Sequence, residues 1–157
     1  MTLATTQFPS PVGTLTLVAS DAGLVALLWE DDDPARVRLP VTAARPDHPV
    51  LRQAATQLAD YFAGARQHFD VPLDMRGTAF QQRVWAALLA IPFGETRSYG
   101  AIASAIGQPT ASRAVGAANG RNPLSILAPC HRVVGSNGAL TGFAGGLAAK
   151  TWLLNHE

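Results

Sequence analysis

The chain holds a single cysteine, Cys130, inside the stretch Pro129-Cys130-His131-Arg132-Val133-Val134. One cysteine cannot close an intrachain disulfide or complete a cysteine-rich zinc site, so the fold has to rest on a buried apolar core. The thiol itself is then either an inert core group or a nucleophile, and a nucleophile needs a neighbouring base or positive field to become thiolate. His131 and Arg132 stand beside it and can supply that field. Ile126, Leu127 and Ala128 form a short apolar approach, Pro129 cannot continue a helix, and Val133-Val134 resume the apolar run. The cysteine therefore sits at a break between two buried segments.

With 157 residues, 48% of them hydrophobic, the chain can bury a sizeable core as one domain or two small ones. No apolar run is long enough to span a bilayer, and the N-terminus lacks the basic patch and apolar stretch of a signal peptide. One cysteine without an export signal fits a reducing cytosol, so a cytoplasmic location is expected. The formal net charge of +1 hides an asymmetry. Up to Asp74 there are nine acidic residues against five arginines, whereas from Met75 onward seven basic residues face only Glu95 and Glu157. The C-terminal part is thus the candidate polyanion binder, and its affinity should depend on salt.

Residues 3–8, 12–19 and 24–29 are rich in threonine and in β-branched or large apolar residues, and Pro9-Ser10-Pro11 and Asp21-Ala22-Gly23 separate them. They read as a small antiparallel meander. The acidic run 30–33 and the proline-containing stretch 40–49 read as loop. From about Val50 the spacing of Leu51, Ala54, Ala55, Leu58, Tyr61 and Phe62 is helical until Gly64, and residues 69–73 suggest one more short strand. His48 and His68 lie far apart with no cysteine nearby, so no metal site is expected.

A boundary falls near residues 74–77. Thr78 is a good helix N-cap, and Phe80, Val84, Trp85, Leu88 and Leu89 form an apolar helical face that ends at Pro92-Phe93-Gly94. Ser98 caps a second helix containing Ile102 and Ile106, Gly107-Gln108-Pro109 makes a turn, and a third helix covers about 110–119. Two short helices around a tight turn read as a helix-turn-helix. The second of them is unusually bare, since Ala111, Ser112, Ala114, Gly116, Ala117 and Ala118 offer almost no side chain and only Arg113 reaches out. A major-groove reader presents Arg, Asn or Gln to base edges; a bare helix suits sequence-independent contact through the minor groove. Ser136-Asn137-Gly138 reads as a tight turn, the glycine-rich 141–146 as a loop able to close over a flat base, and a last helix starts near Leu147.

From about Phe80 to the C-terminus the chain resembles the O6-alkylguanine-DNA alkyltransferases, or methylated-DNA–protein-cysteine methyltransferases. The resemblance rests on Pro129-Cys130-His131-Arg132-Val133-Val134, on Asn122-Pro123 upstream and on Gly145-Gly146-Leu147 downstream. It implies an α+β protein: residues 1–74 as an N-terminal scaffold domain with a small antiparallel sheet, and 75–157 as a winged helix-turn-helix-like domain for DNA binding and alkyl transfer. It implies that Arg113 enters the base stack in place of an extruded nucleotide, with Ala111, Ser112, Ala114 and Gly116 against the minor groove of double-stranded DNA. Tyr99 would help turn the nucleotide out and donate to the guanine ring, and Asn122 would tie the recognition helix to the active-site strand. Val133, Phe143, Ala144 and Gly145 would surround the base. Some family members have Tyr-Ser where this chain has Phe143-Ala144, so a serine hydroxyl for the guanine oxygen is missing.

Cys130 is then the nucleophile, His131 its base through a water, and Glu157 the group that orients His131, which is triad logic applied to a thiol. Extrusion is needed because a stacked guanine cannot present its O6 to a buried thiol. The product is a thioether, which water does not readily cleave, so one chain should repair one lesion. No cofactor is expected, since no glycine-rich nucleotide fingerprint follows a strand; a monomer is expected. Two other readings stay open. A cysteine hydrolase or acyltransferase could use the same three residues, although its histidine normally comes from elsewhere in the chain. A lesion-binding module would bind without transfer, but would have no use for a reactive cysteine.

Overall fold

The computed structural model describes residues 2–157 and divides the chain into two compact units, Met1–Arg76 and Gly77–Glu157. In the first unit, β1 (Leu3–Ser10), β2 (Gly13–Ala19) and β3 (Leu24–Leu28) form the antiparallel meander the sequence pattern predicts. β1 runs through Pro9, opposite Thr14, because that end of β1 lies beyond its other neighbour and a proline without an N–H costs nothing there. The stretch expected to be irregular contributes β4 (Thr42–Ala44), parallel to β1, so the sheet order is β3-β2-β1-β4 and the sheet is mixed. Residues 69–73 do not form a strand. They make one bridge, Leu73 to Leu24, flanked by Leu24 N–H donating to Pro72 O at 2.8 Å and Asp74 N–H to Leu24 O at 2.7 Å.

Helix α1 (Pro49–Phe62) packs on this sheet and buries its Leu51, Ala54, Leu58 and Tyr61 face, while Leu15, Leu17, Leu24 and Leu27 of the strands are fully buried as well. Pro49 sits in its first turn, where its missing N–H is no loss, and Gly64 stops the chain beyond it at φ +80°. Each such buried leucine contributes roughly 1.5–3 kcal/mol of hydrophobic stabilisation.

The second unit opens with α2 (Ala79–Leu89), started by a capping box in which Thr78 accepts from Gln81 N–H and the Gln81 side chain returns to Thr78 N–H. Trp85 is buried on α2 and its indole N–H donates to Ala118 O at 2.9 Å, locking α2 to α4 (Ser112–Gly120). Between them lie β5 (Arg97–Ser98) and α3 (Tyr99–Ala105), capped by the Ser98 hydroxyl. β5 pairs in parallel with β6 (Val133–Val134), a two-stranded ribbon that the sequence pattern was too short to reveal. Helix α5 (Leu147–His156) closes the unit. Among the described residues no helix is long and apolar enough to cross a membrane.

Candidate active site

Cys130 is delivered by a loop that one side chain holds at both ends. After α4 stops, fully buried Asn122 accepts from Leu124 N–H at 3.0 Å and donates to Ala128 O at 2.8 Å, an Asx-type turn extended across six residues. Within that loop Ile126 adopts φ +76°, a left-handed conformation that β-branched residues rarely take, and its burial holds it there. Pro129, at φ −80° and ψ 67°, centres an inverse γ-turn in which Cys130 N–H donates to Ala128 O at 2.7 Å. A single 3-10 turn, Cys130–Arg132, then leads into β6. The thiol is 3% exposed and points toward the buried Ser125 hydroxyl at 3.7 Å.

His131 is completely buried, and its Nε2 lies 2.8 Å from Glu157 Oε2. A carboxylate only accepts, so Nε2 carries the ring proton and Nδ1 keeps its lone pair. That Nδ1 is buried and makes no hydrogen bond. Burial lowers the His131 pKa below its ordinary 6.5, with Glu157 pulling the other way. The ring is therefore held neutral at pH 7, in the tautomer that leaves one basic nitrogen unspent.

Glu157 is the last residue of the chain, yet it is anchored. Arg132 Nε donates to Glu157 Oε1 at 2.8 Å and Arg132 Nη2 to Oε2 at 3.0 Å, while Nη1 reaches Ile91 O at 2.6 Å. The paired contacts form a fork that fixes carboxylate orientation as well as charge. Arg132, expected from the sequence to supply a positive field to the thiol, instead directs its guanidinium to this carboxylate.

Lys150 is a buried lysine whose charge is coupled to that of Cys130. It is fully buried on α5, donates to Val133 O at 2.6 Å and lies 5.9 Å from the Phe143 ring centroid. Burial lowers its pKa, and the charge on Cys130 works in the opposite direction. The attraction is reciprocal, so a protonated Lys150 favours the Cys130 thiolate.

The β5–β6 pairing sets Ser98 beside Val134, which brings Tyr99, the first residue of α3, alongside the strand that leaves Cys130. Tyr99 is half-buried, its phenol oxygen bonds the Thr141 hydroxyl, and its ring lies over Gly116, where an added Cβ would make ordinary contact with two ring carbons at 3.8 Å. Gly116 thus faces Tyr99, while Ser112, Arg113, Ala114 and Ala117 form the exposed face of α4; Ala111 precedes the helix as its N-cap. Phe143, Ala144 and Gly145 follow Thr141 in the loop 135–146.

The structure thus gathers Cys130, His131, Glu157, Asn122 and Val133 into one buried cluster, and leaves Arg113 outside it in solvent. Sequence reasoning missed Lys150, Ser125 and Thr141. Lys150 left a signal: it is the chain's one lysine, and it stands on the apolar stripe with Ala149 and Leu153 where a charge has no reason to be unless it has a partner. Ser125 and Thr141 left none, because isolated hydroxyls in loops are common.

Two family models match the chain: 6-O-methylguanine DNA methyltransferase, ribonuclease-like domain, over residues 3–75, and the DNA binding domain of the same family over 79–157. The methylated-DNA–protein-cysteine methyltransferase of Mycobacterium tuberculosis is 53% identical over 150 residues, covering 94% of this chain and 88% of that protein. The constitutive one of Bacillus subtilis is 46% identical over 156 residues, covering 97% and 93%. The crystal structure of Mycobacterium tuberculosis OGT in complex with DNA superposes with a TM-score of 0.87 at 48% identity, over 99% of this chain and 91% of that one. With both units matched and half the residues shared across nearly the whole length, this chain belongs to the 6-O-methylguanine-DNA methyltransferase family.

Proposed function

We propose that the protein repairs DNA by moving the alkyl group of an O6-alkylguanine onto its own Cys130, once per molecule. It is a methylated-DNA–protein-cysteine S-methyltransferase whose methyl acceptor is itself. The observation that carries this is the buried Cys130-His131-Glu157 arrangement, with His131 neutral, its Nε2–H spent on Glu157 and its Nδ1 free as a base. His131 takes the thiol proton, directly or through a water, and Lys150 steadies the thiolate. The sulfur attacks the alkyl carbon, the carbon–oxygen bond breaks, and guanine leaves with its ring protonated by Tyr99. The S-alkyl thioether has no acyl carbon for water to attack, so the sulfur is not returned.

A thiol this deeply buried cannot reach a stacked base, so the nucleotide is turned out of the duplex. The exposed face of α4 supports a minor-groove, sequence-independent approach: Ser112, Ala114 and Ala117 let the helix lie close to the groove floor, and Arg113 is the one long side chain able to fill the gap in the stack. Val133, Phe143, Ala144 and Gly145 border the base. The Gly77–Glu157 unit carries binding and chemistry, and the Met1–Arg76 unit serves as scaffold for a monomer working in the cytoplasm.

The test is intact mass after mixing with excess duplex carrying O6-methylguanine, beside a Cys130→Ser control. The expected result is one added CH2 per chain, at Cys130 and in no greater number, and none in the control. DNA binding without any mass gain would instead show a lesion-binding module, and neither binding nor gain would favour a cysteine hydrolase.

A further inference from the structure

Tyr99 and Thr141 are 42 residues apart in sequence, and their hydroxyls are hydrogen-bonded. The Tyr99 ring stands at the start of α3 and lies over Gly116. Either oxygen of its bond to Thr141 can be the donor, so the direction of the hydroxyl proton is the point to decide. A phenol has one proton to give and lone pairs with which to accept. If that proton is to reach the ring of an extruded guanine, the contact with Thr141 must run the other way, with Thr141 donating and Tyr99 accepting. An accepted hydrogen bond also polarises the phenol O–H and makes it a better donor. Thr141 stands in the loop 135–146 between the turn closed by Gly138 N–H to Gly135 O at 2.8 Å and the Phe143–Gly146 turn at 2.9 Å. The same bond therefore pins the segment that carries Phe143, Ala144 and Gly145 to the start of α3.

Resting on the alkyl-transfer reading above, we propose that Thr141 is a positioning residue for the reaction: its hydroxyl donates to Tyr99, aims the phenol proton at the extruded base and holds the base loop in register.

The test is single-turnover transfer from O6-methylguanine duplex by the full chain, comparing Thr141→Val, Thr141→Ser, Tyr99→Phe and the double variant Tyr99→Phe/Thr141→Val. Thr141→Val keeps the side-chain shape and removes the hydroxyl; a drop of about three- to tenfold is expected, the scale of one neutral hydrogen bond. Thr141→Ser restores the donor and should stay within about twofold of the parent. Because Thr141 acts through Tyr99, adding Thr141→Val to Tyr99→Phe should cost nothing further. A Thr141→Val chain as fast as the parent, or faster, overturns the inference. So does an equal loss in the presence and absence of the Tyr99 hydroxyl, since the residue would then act by loop packing alone. A parent chain that transfers no alkyl group overturns the alkyl-transfer reading and the inference together, which separates the two failures.

Discussion

Each unit of this protein contains a histidine against a carboxylate, and the two pairs are built in opposite ways. In the first unit His48 Nε2 meets Asp21 Oδ1 at 3.1 Å, but the Asp21 side chain is 85% exposed. Its other nitrogen, Nδ1, accepts from Val50 N–H at 3.2 Å and caps α1. Both nitrogens are occupied and the partner is in water, so His48 holds a helix end and nothing more. In the second unit His131 and Glu157 are 0% and 2% exposed at 2.8 Å, and His131 Nδ1 is unspent. A buried carboxylate and one left-over ring nitrogen are what the proposed mechanism asks of a histidine–carboxylate pair, and only the second pair has both.

The strongest way to break this contrast is the same amide replacement in both pairs. Glu157→Gln leaves Arg132 buried without its anion, which should cost about 3–5 kcal/mol in denaturant unfolding. It also removes the charge that stabilises a protonated His131, so the single-turnover rate should fall by about 10²-fold or more. Intact stability after this change would mean that the Arg132 fork is not what holds the chain end.

A smaller effect is expected at Lys150. Lys150→Met keeps the bulk but removes the charge coupled to Cys130, so the thiolate should be disfavoured. Transfer at pH 7 should slow and recover as the pH is raised. A uniform loss at every pH would assign Lys150 to support of Val133 O alone.

The pH dependence of stability sharpens the same point. The His131 pKa is lowered from 6.5 on folding, chiefly by burial. The unfolded chain therefore binds more protons below that value, and the contribution of the neutral ring is complete above about pH 6.5 and is lost as the pH falls toward the native pKa. The unfolding midpoint should decline through that window, and His131→Asn should flatten the decline.

The smallest effects belong to the first pair. His48→Ala should cost about 1 kcal/mol, the value of a helix cap, with no change in transfer rate. Asp21→Asn should move neither measurement, because its carboxylate is already solvated. A rate effect from either would show that the first unit does more than support.

Much of this was legible in the chain itself. The adjacency of Cys130 and His131, the β-branched and apolar composition of the first three strands, the Thr78 and Ser98 caps and the bareness of α4 are local patterns, and local patterns dictate local geometry. The short pieces escaped. β4, β5 and β6 are two or three residues long and carry no period of their own; they are strands only because a neighbouring strand accepts their hydrogen bonds. Residues 69–73 show the converse, a strand-like composition that finds a single bridge and remains a loop.

The amino-acid sequence by itself determined that this protein has one thiol, an imidazole beside it and an apolar setting for both. Tertiary structure alone decided what surrounds them: Arg132 turned to Glu157 across 25 residues, Lys150 to Val133 across 17, Thr141 to Tyr99 across 42. Those contacts depend on where buried helices and a two-residue ribbon come to rest, and a polar side chain shows its partner only once the apolar core has brought the two together.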